Sequence, residues 1–268
     1  MSEKSSPKRT SKPIEVEVPG TPEQVWQAIA TGPGISAWLF PTDVEERPGG
    51  AVTFHMAPGM ESSGTITTWD PPRCIAYEEP NWSEGAPPLG TEFVIEARAG
   101  GTCVVRLVHS LFTDSDQWDK EFDGFEKGWR GFFQVLRLYL ARFPGRRALP
   151  LRVMQSAAGS EADVWNQLAR ALEFSDLKRG DRWTTSGLTP PTLTGTVEYA
   201  GEGSEREMLV ALSEPGPGIA LVGVGSWNDQ VFASMSIYLY SEDAALAREV
   251  ESAWQAWMAG LFGERGAA

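Results

Sequence analysis

The chain has 268 residues, 41% of them hydrophobic and 22% charged, with a formal net charge of −13. That length suits one large domain or two ordinary ones, and the composition is that of a globular protein, not a disordered one. No apolar run reaches the roughly 18–20 residues that a membrane-spanning helix needs. The charge is uneven: residues 1–13 hold four basic side chains and one acidic, 14–145 nine and nineteen, and 146–268 ten and sixteen. A body this acidic repels phosphate backbones, which excludes nucleic acid as a partner.

The opening stretch, MSEKSSPKRTSKP, is polar and basic without an apolar core, so it is not a secretory signal. Residues 1–13 are expected to form a disordered tail. IEVEVP (14–19) then reads as a short strand. Thr21-Pro22-Glu23-Gln24 follows as a capping box with proline at the first helical position, opening the helix TPEQVWQAIA. Beyond the segment GPGISAWLFP, strands are expected near 43–47, 51–56, 62–70, 73–79, 91–98 and 102–112. Alternation puts Val52, Phe54 and Met56 on one face, and Cys103, Val105, Leu107, His109 and Leu111 on another. Hairpin-linked strands with no helices between them imply an antiparallel sheet.

A long helix, FDGFEKGWRGFFQVLRLYLARF (122–143), closes this unit. Phe122, Phe125, Trp129, Phe132, Phe133, Leu136 and Leu140 share its apolar face. Gly124, Gly128 and Gly131 run along the edge of that face, each costing the helix about 0.5–1 kcal/mol relative to alanine. FPGRRALP (143–150) then breaks the chain, and the pattern restarts. LPLRVMQS is the new strand, and Ser160-Glu161-Ala162-Asp163 caps a helix with Val164-Trp165 where the first has Val25-Trp26. Strands near 181–186, 192–200, 206–213, 218–227 and 230–240 lead to a closing helix with Leu246, Val250, Trp254, Trp257 and Leu261 on one face. No clear counterpart of GPGISAWLFP is present, so one strand or connection fewer is expected. The fold class is α+β, in two tandem domains at 14–145 and 149–268.

Residue types that carry chemistry are sparse. There are two histidines, His55 and His109, and no HExxH, CxxC, GxxxxGK[ST] or GxSxG pattern, so no metal site or cofactor is expected. The two cysteines set a reducing, cytoplasmic location as the expectation. His109, on the inward parity of its strand, reads either as an acid–base or ligand-anchoring group or as a hydrogen-bonded histidine at the sheet rim. The acidic run DSDQWDKEFDGFE suits a helix N-terminus and a solvated face. The eleven-residue loop PNWSEGAPPLG (80–90) puts Trp82 either over the site or on an ordinary exposed turn.

Four stretches, TPEQVWQAIATGPGISAWL, RPGGAVTF, SGTITTWDPPRCIAYE and GTCVVRLVHSLF with GWRGFFQVLRLYL, resemble the family of activators of the 90-kDa heat-shock-protein ATPase. That family lies within the START-like, helix-grip superfamily. The resemblance covers nearly all of residues 14–143, and the second half is similar only as a divergent copy. It implies two bent antiparallel sheets, each wrapped around its long C-terminal helix over a cavity. The helix glycines then leave room for a ligand, or for a close-packed neighbour such as the other repeat or a dimer partner. The leading expectation is a small, largely apolar molecule bound in the first domain, without catalysis or with weak catalysis. Its lining would be Trp38, Phe40, Phe54, Trp82, His109, Phe122, Phe125, Gly128 and Trp129. The alternatives are a co-chaperone-like protein-binding module, homodimeric or with another partner, and a cavity enzyme of the cyclase or hydrolase type.

Overall fold

The first strand of the computed structural model is one that composition hides. The structure describes residues 8–10, 13–57, 59–113, 118–185, 187–188, 190–201, 203, 205–227 and 230–263. Strand β1 (Lys8–Thr10) falls inside the stretch expected to be a disordered tail, and it corrects that expectation. It pairs antiparallel with Ser110–Phe112, the far end of a long strand whose nearer part is already taken by β2 (Ile14–Pro19). An edge left unpaired recruits any backbone that can reach it, and charged side chains do not prevent this.

The chain divides into two compact units, Met1–Arg147 and Ala148–Ala268. In the first, α1 (Pro22–Ala30) starts at Thr21, whose side chain accepts from Gln24 N while Gln24 Oε1 accepts from Thr21 N at 2.9 Å. Short α2 (Gly32–Ser36) follows at once, capped by the Thr31 hydroxyl. The sheet is then laid down as β3 (Thr42–Val44), β4 (Ala51–Ala57), β5 (Met60–Asp70), β6 (Cys74–Glu79), β7 (Leu89–Arg98) and β8 (Thr102–Phe112). These are consecutive antiparallel neighbours from β3 to β8, with β2 and β1 end to end on the outer edge of β8. Register shifts in β4–β5 and β5–β6 add local twist. Helix α3 (Asp119–Arg142) closes the unit. Its C-terminal half is buried through Phe133, Val135, Leu136, Tyr139 and Leu140.

The second unit repeats this plan: β9 (Leu149–Ala157), α4 (Glu161–Ala171), β10 (Arg182–Thr184), β11 (Thr194–Ala200), β12 (Glu207–Glu214), β13 (Gly218–Trp227), β14 (Gln230–Leu239) and α5 (Ala244–Phe262). Its six-stranded antiparallel sheet runs from β10 through β14 to β9, and Ser160 and Asp163 form the matching capping box. Helix α5 also closes the edge of β9: Glu251 accepts from Arg152 N, and Gln255 both accepts from and donates to the Met154 backbone. The chain therefore holds two curled antiparallel sheets, each with a long closing helix, the helix-grip arrangement in tandem. Among the described residues no helix is long and apolar enough to cross a membrane.

Candidate functional site

The strand registers of the first domain set its inner face. Cys103, Val105, Leu107, His109 and Leu111 on β8 are all buried, and so are Leu89, Phe93 and Ile95 on β7 and Ile75 on β6. One transverse row departs from this apolar pattern. Tyr77 pairs with Thr91 and Thr91 with His109, so three polar side chains stand in line across β6, β7 and β8. All three are buried. Tyr77 stands opposite Thr91 in register, and the Thr91 hydroxyl lies 3.1 Å from His109 Nδ1.

Burial dominates the electrostatics of this row. Desolvation lowers the His109 pKa to about 4, leaving the ring neutral at ordinary pH. Burial pushes the Tyr77 phenol well above its usual value; the nearby Glu79 charge adds to this and the Thr91 hydroxyl opposes it. The Thr91 hydroxyl can donate to His109 Nδ1 or accept from it, so this contact is compatible with either neutral tautomer of the ring.

An aromatic wall faces this row from α3. The Trp129 ring lies 5.7 Å from His109 and from Phe93, 6.2 Å from Trp38, 5.8 Å from Phe133 and 6.4 Å from Phe132. Trp38 is fully buried and fixed by its indole N–H, which donates to Ala28 O at 2.9 Å. Phe40 meets Phe132 at 5.3 Å, and Phe54 meets Tyr77 at 5.6 Å. Yet Trp129, Phe132 and Phe40 stay only half-buried, and Gly128 is exposed with nothing within 4 Å of where a Cβ would stand. Gly131, one turn on, is buried. The side chains of Phe122 and Phe125 lie outside the described residues. Trp82 is held by its N–H to Pro87 O at 2.8 Å, and its ring meets Trp118, at the start of α3, at 5.8 Å.

Sequence reasoning passed over four residues. Thr91 and Tyr77 complete the polar row. Glu79, the last residue of β6, is 7% exposed, and Ser62 on β5 donates to its Oε1 at 2.5 Å. Desolvation raises the Glu79 pKa and the Ser62 hydrogen bond only partly offsets it. Gly64 accommodates this carboxyl: a Cβ there would lie 2.9 Å from Glu79 Cγ and 2.7 Å from Glu78 O. The alternation Ile75, Tyr77, Glu79 was the available signal. His55, by contrast, sits on the partly exposed face, with Nε2 2.9 Å from Asp43 and Nδ1 2.8 Å from Glu61. Among the described residues no group of three or more histidine, cysteine or acidic side chains is arranged to hold a metal ion.

The second domain is built differently inside. Its core is apolar, and Trp254 on α5 is fully buried with its N–H donating to Pro191 O at 3.2 Å. Although no helix like α2 follows α4 among the described residues, Trp183 reproduces the Trp38 anchor, donating to Leu172 O at 2.8 Å. The second half was expected to lack a clear counterpart of GPGISAWLFP, yet the indole-to-helix bond that Trp38 makes in the first domain recurs here from a strand.

Residues 19–141 match the sequence profile of the family described as Activator of Hsp90 ATPase homolog 1-like protein. The first domain is thus similar to that family over residues 19–141, and the second half is compatible with a divergent copy. Among solved structures, the di-domain ARO/CYC BexL from the BE-7585A biosynthetic pathway is similar over 96% of this chain and 99% of its own, at 13% identity and TM-score 0.44. Protein MLL2253 from Mesorhizobium loti covers 50% of this chain and 98% of its own at 22% identity and TM-score 0.45. The Aha1 dimer from Colwellia psychrerythraea covers 48% and 93% at 18% identity and TM-score 0.39. No curated protein matches the chain.

Proposed function

We propose that the first domain binds a small, largely apolar molecule between α3 and the inner face of its sheet. The supporting observation is Trp129, which sits among five aromatic or imidazole rings yet remains half-buried, beside an open Gly128. A surface that has gathered this much aromatic area without sealing it gains about 25 cal/mol per Å² when a ligand covers the remainder, less the cost of ordering. Trp38, Phe40, Phe54, Trp82, His109, Phe122, Phe125, Gly128 and Trp129 are the proposed lining. The 11 tryptophans supply the probe. A panel of aromatic and alicyclic compounds should change the intrinsic fluorescence and raise the melting temperature. A panel that moves neither would overturn this reading.

A second reading, weak catalysis in the same site, has one observation in its favour. His109, buried and neutral with Nδ1 3.1 Å from the Thr91 hydroxyl, is the kind of acid–base group that a cyclase or hydrolase site requires. Should turnover of any bound compound be found, Thr91→Val would disturb its pH profile, whereas an unchanged profile would remove the row from the chemistry.

The division of labour proposed here gives ligand binding to residues 14–145 and a packing role to 149–268. The two free cysteines, Cys74 and Cys103, fit a reducing, cytoplasmic setting. A homodimer or other protein partner is proposed on the family resemblance alone, and sedimentation of the full chain tests it.

A further inference from the structure

We infer that the site in the first domain selects a protonated amine carried on an aromatic or alicyclic body, with Glu79 receiving the ammonium group. This rests on the binding reading above and names its ligand class.

Five observations carry it. Glu79 is the one carboxyl among the described buried residues, and it stands on the inward parity of β6, two residues from Tyr77. A carboxyl is costly there, and an apolar side chain would pack the same place at less expense. The sheet is nevertheless shaped to keep it: Ser62 donates to Oε1, and glycine at 64 leaves space for the stem. Among the described buried residues of this domain there is no lysine or arginine, and the Ser62 hydrogen bond offsets the burial of Glu79 only in part. An anionic ligand would add a second negative charge, whereas an ammonium group supplies the opposite one with three hydrogen-bond donors. The rings nearby, Phe54 and Tyr77 at 5.6 Å from each other, favour a cation over their faces. Residues 14–145 carry nineteen acidic side chains against nine basic, which draws cations toward the domain.

Occupancy by an amine is linked to a proton. Burial raises the Glu79 pKa, and the arriving ammonium group returns it to the carboxylate. Binding therefore releases a proton over the pH range in which the empty site holds one, and amine affinity weakens as pH falls into that range.

The test is calorimetry on the full chain with three probes of one shape: naphthylmethylamine, naphthalenemethanol and naphthoic acid. The amine should bind at least about tenfold more tightly than the alcohol, and the acid most weakly. Glu79→Gln keeps an oxygen for Ser62 and removes the charge, so it should bring amine and alcohol within about twofold while leaving the alcohol's affinity as it was. A purely structural Glu79 would leave the preference intact in E79Q. That result, or equal binding of amine and alcohol by the natural protein, or tightest binding of the acid, overturns this inference and leaves apolar binding standing. Silence from all three probes overturns both. Should circular dichroism show E79Q unfolded, the natural protein's selectivity carries the test: equal binding of amine and alcohol, or an amine preference that does not weaken with acid before the fold is lost, contradicts the inference.

Discussion

The two closing helices carry a tryptophan at corresponding places and treat it in opposite ways. On α5, Trp254 has no exposed surface, its indole N–H is bonded to Pro191 O, and Val250 and Met258 on the same helix are fully buried. On α3, Trp129 is half-buried, follows an exposed glycine, and touches His109, a residue type absent from the second domain. Two copies of one architecture thus separate by what lies under the helix. Under α5 the tryptophan is sealed in a largely apolar core, whereas under α3 a half-buried tryptophan meets a buried histidine, and the same sheet holds a buried carboxyl, Glu79.

The largest expected effect comes from truncating those tryptophans. Trp254→Ala empties a sealed core position and should cost the second domain about 3–5 kcal/mol, whereas Trp129→Ala should cost the first about half of that or less. Calorimetry of the full chain, with the two transitions resolved, reads both. Equal losses would erase the comparison.

Acid should separate the domains next. An unfolded histidine takes a proton near pH 6.5, while His109 in the folded domain resists until about pH 4. Stability is thus intact above pH 6.5 and falls by about 3 kcal/mol as pH drops to about 4, in the first domain alone. Glu79, with its pKa raised, works the other way as pH rises through its titration range. His109→Phe isolates the histidine's share, and melting of that variant should be flatter over this interval.

Glycines on the sheets give a middle-sized test. Gly64→Ala pushes a methyl to 2.7 Å from Glu78 O and should cost about 1–3 kcal/mol. Gly195→Ala, with Ala211 O at 2.3 Å, should cost the second domain more. Gly128→Ala should instead stabilise α3 by about 0.5–1 kcal/mol, because nothing stands in the way of the methyl. If that stabilised variant binds apolar ligands less well, the open place is functional; if binding is untouched, Gly128 lies outside the site.

The smallest effect is at His55. Hydrogen bonds donated by its ring to Asp43 and then Glu61 raise its pKa, so its support for β3–β4–β5 is full below pH 6.5 and is lost as pH rises through the raised value. Solvent screens this exposed trio, and His55→Ala should change only that slope.

What could be seen in the sequence was whatever repeats at short range. The capping boxes at Thr21 and Ser160 and the alternation along β8 that turns His109 inward are written in neighbouring residues. Glu79 was legible only as the inward parity it shares with Ile75 and Tyr77; a Glu-Glu pair at a strand end otherwise reads as solvated, and what holds the carboxyl lies elsewhere: Ser62, seventeen positions away, and Gly64. The Tyr77–Thr91–His109 row exists only once three strands take their register. Strand β1 was hidden for a like reason, since the edge it fills belongs to the far end of β8. Trp183 gave no sign of replacing Trp38, because the helix carbonyl it needs, Leu172 O, is supplied by the fold.

The most direct measurement is xenon pressurisation of crystals of the full chain, which marks apolar space without regard to ligand chemistry. The account predicts xenon beside Trp129, between α3 and the sheet of the first domain, and none under α5. Xenon beneath Trp254 with none beside Trp129 would show that the open interior, and with it the proposed site, had been assigned to the wrong domain.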